Sequence, residues 1–183
     1  PGSFKVLKAD HVVVATGSYT APLLRTVGVN LPIYPGKGYS ATFKILKPEL
    51  APQVSLLDDS VKCAMSRLGD TLRIAGTIEV GGYDLSLDSP LARARCEMLA
   101  RRVETVFPGV CDTRLASEGG EPNFWTGLRP ATPTNIPYIG RADRLPNLWL
   151  NAGHGTLGWT HGAGSGRALA ELMMGQQPQL NFG

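Results

Sequence analysis

Hydrophobic positions along the chain change period several times, and each change marks an element. Residues 9–15 (Ala-Asp-His-Val-Val-Val-Ala) are a short continuous apolar run that ends in Thr16-Gly-Ser18. With apolar side chains on both faces, the run predicts a buried parallel strand, which needs a neighbour on each side. Residues 19–27 predict a short helix starting near Ser18 or Thr20, with Pro22 tolerated in its first turn. Residues 32–38, with Pro32 and Pro35, predict a rigid extended connector, because proline fixes its own φ and restrains the residue before it.

Residues 39–46 then alternate as a strand does, and residues 61–67 and 71–80 add two more. Leu68-Gly-Asp70 between the last two is a hairpin signal, so this sheet is predicted to be antiparallel. Asp88-Ser-Pro90 reads as a helix start, with a capping side chain before a first-turn proline. Leu91, Cys96, Leu99, Val103 and Val106 mark one face at helical spacing, opposite Arg93, Glu97, Arg101 and Glu104. This helix stops before Pro108-Gly109 and is expected to cover one face of the sheet. Arg93, Arg95, Arg101, Arg102 and Arg114 read as a solvated face.

Residues 118–122 are a loop, 124–130 a strand-like segment, and 131–144 a proline-rich irregular stretch. Residues 148–152 are apolar and enter a glycine-rich turn that opens into a helix ending near Met174. The sum is an α+β or α/β chain: an antiparallel sheet covered by helix, flanked by parallel-sheet elements.

Composition adds limits. The 183 residues are 43% hydrophobic and 18% charged, as in a folded globular chain. A net charge of +3, with no lysine or arginine run, gives nucleic-acid binding little support. Cys63, Cys96 and Cys111 are odd in number, widely spaced and form no CxxC pair, which points to buried reduced thiols. No apolar stretch reaches the roughly 20 residues of a membrane-spanning helix, and no signal peptide is visible. The first residues, Pro1-Gly-Ser3, lack a methionine and lead almost at once into a strand, so a boundary inside a longer protein is expected there.

Two features carry candidate chemistry. Gly153-His-Gly-Thr-Leu-Gly158 matches the dinucleotide fingerprint GxGxxG and precedes a helix. A complete dinucleotide unit needs a second parallel strand with an acidic residue about 20 residues on. Here the helix ends near Gly175, and its only acid is Glu171. What survives is electrostatic: a helix N-terminus behind glycines that permit close backbone approach to a flat or anionic group. The second feature is Arg129, in an apolar run between Leu128 and Pro130. Buried arginine needs a partner, and its planar fork suits a carboxylate, either Glu118, Glu121 or that of a ligand. His154 and His161 have no evident third metal ligand. No nucleophile–base arrangement is present, which favours a cofactor that carries the chemistry.

Four blocks, Ala9-Asp-His-Val-Val-Val-Ala-Thr-Gly-Ser18, Lys37-Gly-Tyr-Ser40, Trp125-Thr-Gly-Leu-Arg-Pro130 and Asn151-Ala-Gly-His-Gly-Thr-Leu-Gly-Trp-Thr160, resemble the C-terminal part of FAD-dependent D-amino-acid oxidoreductases, above all the small subunit of bacterial D-amino-acid dehydrogenase. The resemblance covers nearly the whole chain in order. It implies a Rossmann-like FAD domain interrupted by an antiparallel substrate domain: residues 1–31 close the first FAD segment, 32–128 form the substrate domain and 129–183 return to the FAD domain.

By the same resemblance Arg129 clamps the substrate carboxylate, with Gly155 as a further substrate-side residue; Tyr39 and Tyr83 are candidates for the substrate pocket, with a place in the core as the equal alternative for each. Thr16, Gly17, Gly153, His154, Gly155, Thr156, Leu157, Gly158, Trp159 and Thr160 would line FAD. The implied reaction is oxidative deamination of a D-amino acid, with electrons passed to a quinone or another acceptor. A cytoplasmic location, including peripheral association with the inner face of the cell membrane, goes with it. The N-terminal half of the FAD domain, which holds the pyrophosphate, is not among these residues. The expectation is therefore that this polypeptide needs that half as its partner and is inactive alone. A glycine- or sarcosine-type amine oxidase and a cofactor-free binding module are the alternatives.

Overall fold

The first apolar run becomes β1 (Val12–Val14) in a computed structural model of the chain, which describes residues 5–179. The chain divides into two units, one built from the residues up to Pro35 together with those from Arg129 onward, the other from Gly36–Leu128.

In the first unit β1 runs parallel to β8 (Leu148–Ala152), with Val14 opposite Leu150, and β8 pairs antiparallel with β7 (Tyr138–Arg141). The order is therefore β1-β8-β7. A single helical turn at Gly17–Tyr19 leads into α1 (Thr20–Arg25), which has Pro22 in its first turn and buries Thr20, Ala21 and Leu24. Val14, Leu24, Ala142, Leu148 and Leu150 form the core between helix and sheet. The later helix, α3 (Gly158–Met173), buries Ser165, Ala168 and Leu169. The strand at residues 9–15 is shorter than expected, and Val12 and Val13 stay 47% and 46% exposed, so only Val14 is a buried strand residue. Among the described residues β1 has one neighbouring strand, not two. β7 lies in the stretch read as irregular; four residues with Gly140 at φ 141° leave no periodic signal.

The second unit is dominated by a five-stranded sheet of order β3-β4-β5-β2-β6. Its members are β2 (Tyr34–Lys44), β3 (Leu56–Asp58), β4 (Cys63–Leu68), β5 (Thr71–Val80) and β6 (Asn123–Ala131). The β2–β5, β4–β5 and β3–β4 ladders are antiparallel, as the hairpin signal predicted. The residues read as a rigid connector instead open β2. Pro35 sits at its start, and a register shift between Lys37 and Tyr39 absorbs the glycines.

α2 (Pro90–Val106) begins as predicted, with the Ser89 hydroxyl accepting the Ala92 N–H at 3.1 Å. Its buried face is Ala92, Cys96, Leu99, Ala100 and Val103, whereas Leu91 and Val106 are exposed. The apolar face was thus misplaced at its ends, because alanines carry part of the contact. These residues pack on Tyr39, Ala41, Phe43, Met65, Leu72 and Ile74, which fixes the covered face of the sheet. Two of the arginines read as solvated are tied down: Arg95 lies 3.4 Å from Glu79, and Arg102 pairs with Asp58. The three cysteines are buried and free.

Candidate functional site

The parallel pairing of β1 and β8 brings their carboxyl ends side by side, so that Thr16-Gly17 and Asn151–Gly153 issue from the same end of the sheet. Ligands of open α/β sheets sit beyond such strand ends. Gly17 adopts φ 56°, and Thr16 Oγ1 lies 3.1 Å from Thr20 Oγ1. Gly153 is buried at φ 85°; a Cβ there would stand 2.7 Å from Thr132 Cγ2 and 3.4 Å from the Tyr138 ring. Only glycine fits both the conformation and the space. Gly155, at φ 55°, donates its N–H to the Pro130 carbonyl at 2.9 Å.

The turn then closes with Leu157 N–H donating to His154 O at 3.0 Å, and α3 starts at Gly158 without a side-chain cap. The first N–H groups of a helix have no acceptor inside it, and the helix dipole adds partial positive charge there. Thr156, Leu157, Trp159 and Thr160 are exposed around this end.

Polar atoms behind the turn point the same way. His154 Nε2 and Asn151 Oδ1 are buried, with no hydrogen-bond partner among the described residues. Burial holds the His154 imidazole below its ordinary pKa, and the charge of His161, whose ring lies 6.4 Å away, adds to the effect. Arg129 is partly buried on β6, next to the residue whose carbonyl holds Gly155. One hydrogen bond thus fastens the glycine turn to the backbone beside the arginine.

Sequence reasoning found the turn and Arg129, and the structure brings them together within one unit. It did not find Thr132 or the two orphaned atoms. Thr132 Oγ1 donates to Ile136 O at 3.0 Å, which fixes the methyl that faces Gly153. Of the two places open to Tyr39, pocket or core, the structure shows the core. It is 1% exposed in the core of the other unit, and its hydroxyl donates to Glu79. Desolvation and the Glu79 carboxylate raise its pKa, so it is a neutral core donor. Glu118, a candidate partner for Arg129, accepts the Leu115 N–H at 3.0 Å.

A flat cofactor that gains negative charge on reduction fits this arrangement on three counts. Gly155 puts no side chain into the open space before it, the uncapped helix start offers donors, and two buried polar atoms lack partners among the described residues. FAD is such a group; its residues here would be Thr16, Gly17 and the segment 153–160.

Comparison with known proteins agrees. The profile of the FAD dependent oxidoreductase (DAO) family matches residues 2–172. The D-amino acid dehydrogenase of Dechloromonas aromatica (strain RCB) is 53% identical over 176 residues, covering 96% of this chain and 40% of the relative. That of Methylobacterium radiotolerans is 47% identical over 175 residues, covering 96% of this chain and 39% of the relative. The chain therefore spans about 40% of the length of the curated relatives it matches. Among solved structures, glycine oxidase from Geobacillus kaustophilus superposes with a TM-score of 0.77 at 26% identity, covering 94% of this chain and 44% of that one. The glycine turn, the parallel strand ends behind it and the matched profile give one result: the chain belongs to the FAD dependent oxidoreductase family.

Proposed function

We propose that the chain forms the substrate-side and helix-N-terminal part of an FAD-dependent D-amino acid dehydrogenase, working with a segment that corresponds to the rest of its relatives' length. On this reading residues 1–31 and 129–183 contribute to the FAD domain, and 32–128 form the substrate domain. The observation that carries the reading is the Gly155 N–H to Pro130 carbonyl bond, which sets an uncapped helix start beside Arg129. The identity to dehydrogenases supports it.

Bound FAD would supply the hydride acceptor. The α3 N-terminus and its free N–H groups stabilise negative charge placed before them. Neutral His154, held in that state by burial, presents Nε2 without adding a cation. Arg129 holds the substrate carboxylate and so orients Cα. Loss of a hydride from Cα and a proton from the amine leaves an imino acid, which water converts to a 2-oxo acid and ammonia. The electrons pass on to a quinone or another acceptor, which favours peripheral membrane association on the cytoplasmic side. Among the described residues no helix is long and apolar enough to cross a membrane.

The test uses the full-length protein. Anaerobic addition of D-alanine should bleach the flavin absorbance, and absence of bleaching with every D-amino acid would refute the reading. Arg129→Ala should weaken substrate binding by about 2–5 kcal/mol, the effect of removing one partner of a desolvated charge pair. The likeness to a glycine oxidase favours a second reading, an amine oxidase; hydrogen peroxide release in air, matched to substrate consumed, would select it.

A further inference from the structure

Lys37 is 1% exposed, yet among the described residues no carboxylate lies within ion-pair distance of its ammonium. Lysine is almost never fully buried unless paired. Its Nζ donates to the Ser86 carbonyl at 2.6 Å and lies 5.4 Å from the centre of the Tyr39 ring. Arg95 stands 5.8 Å from the same ring and 3.4 Å from Glu79, which also accepts the Tyr39 hydroxyl. A bulge aims Glu79 at this cluster. Lys37 is opposite Glu79 and Tyr39 opposite Gly76, so Gly38 faces both Thr77 and Ile78. Thr77 takes φ 56° there, an outlier for a β-branched residue. Even so, one carboxylate serves two cations, and the core keeps an excess of positive charge.

Cys96, next to Arg95 in α2, forms part of the wall of a cavity of about 430 Å³. Leu87, Leu115 and Phe124 supply apolar walls and pack on the core of the unit. Burial raises the pKa of the Cys96 thiol, Glu97 adds to the rise and Lys37 opposes it, so the field of the buried ammonium reaches this wall. Two charged side chains of α2 complete the lining. Glu97 lies 3.4 Å from Arg101, whereas Arg93 has no ion pair among the described residues. An apolar cavity with uncompensated positive charge behind its wall and at its rim is complementary to an organic anion. A free amino acid fits poorly, because its ammonium would meet the same cations.

We propose that this cavity binds an apolar monocarboxylate without an amino group, its carboxylate held by Arg93 and its body laid over Leu115 and Phe124. Lys37 adds its charge from behind the wall. The site is built wholly from residues 36–128, uses neither Arg129 nor the glycine turn, and does not depend on the dehydrogenase reading.

The experiment titrates phenylacetate calorimetrically into the full-length protein carrying Arg129→Ala, so that a carboxylate site at Arg129 does not contribute. A Kd of about 1 mM or tighter is expected for a ligand of this size. 2-Phenylethanol, which lacks the charge, and L-phenylalanine, which adds the ammonium, should each bind at least about tenfold more weakly. Arg93→Gln and Lys37→Met, added to this parent, should each weaken phenylacetate by about threefold to tenfold. Leu115→Trp should fill the cavity and abolish binding. Arg93 is exposed, so Arg93→Gln decides the question where a core variant fails to fold. The proposal is overturned by a phenylacetate Kd weaker than about 10 mM, or by 2-phenylethanol binding as tightly as phenylacetate. It is equally overturned by a Kd within about twofold of the parent in any folded one of the three variants. Failure of the dehydrogenase reading would show as absent flavin bleaching and would leave these titrations unchanged.

Discussion

Replacing Gly153 by alanine is the most direct probe of the turn that organises the site. Two independent penalties meet at this residue. Its φ of 85° puts an L side chain in the left-handed region, which costs about 1–2 kcal/mol. The new Cβ would also stand 2.7 Å from Thr132 Cγ2, closer than carbon atoms approach. Thr132 cannot simply rotate away, because its hydroxyl donates to Ile136 O at 3.0 Å and the residue is only 6% exposed. Rotation would sacrifice that bond, at about 0.5–1.5 kcal/mol, and staying put would overpack the contact, at about 1–3 kcal/mol.

The expected loss is therefore about 2–4 kcal/mol. It should appear in urea unfolding and, by hydrogen exchange, in the amides of β7 and β8 rather than in those of β4 and β5. Thr132→Ser removes the offending methyl and keeps the hydroxyl, so in the double variant the steric part should vanish and about 1–2 kcal/mol should remain. A Gly153→Ala protein within about 0.5 kcal/mol of the wild type, or a double variant no better than the single, would refute the packing argument.

The other glycines of the turn should behave unequally. Gly155→Ala should destabilise by about 1 kcal/mol through its φ of 55°. Gly158→Ala, where the nearest contact would be an ordinary 3.5 Å to His154 Cβ, should be neutral or stabilise by up to about 1 kcal/mol in thermal unfolding. In the other unit, a Cβ at Gly76 would meet Cys63 Sγ at 2.3 Å and the Lys62 carbonyl oxygen at 2.6 Å, so Gly76→Ala should lose at least about 2 kcal/mol in urea unfolding. His154 should give a pH signature. Its pKa is lowered from 6.5, so the unfolded chain binds the proton first, and stability should fall as pH drops through about 6.5 and level off below the folded value. In a His154→Gln protein that slope should be absent.

What could be read from the sequence was local chemistry. The Ser89 cap, the limits of β5 and the strand at Leu148–Ala152 follow from side chains that act within a few residues of themselves. β3 and β7 escaped because three or four residues do not complete a pattern. The start of β2 was misread for a different reason. Pro35, Gly36 and Gly38 argue against a strand locally, but Gly36 and Lys37 pair with Val80 and Glu79, and tertiary pairing overrides propensity. The face of α2 was displaced because Ala92 and Ala100 are buried alongside Leu99, and alanine gives a weak apolar signal. At the site, positive φ made the glycines visible. The orphaned atoms of Asn151 and His154 and the contact with Thr132 depend on residues brought from elsewhere in the chain. For Tyr39 the sequence left pocket and core equally open, and its bond to Glu79, forty residues away, shows how the hydroxyl is satisfied in the core.

The fingerprint match at residues 153–158 looks different once each glycine is weighed by what its position demands. In a dinucleotide turn the second glycine lets the backbone approach a pyrophosphate, and the third lets the helix pack against the strand. Here close packing belongs to the first glycine, Gly153, against Thr132. The third, Gly158, has neither a positive φ nor a tight neighbour. The second, Gly155, has its N–H engaged by the Pro130 carbonyl, so a phosphate placed before it would find that amide taken. The same spacing therefore serves another purpose: it fastens a helix start to the strand that carries Arg129. The donors left for a cofactor are those of the first turn of α3, which favour negative charge placed before them.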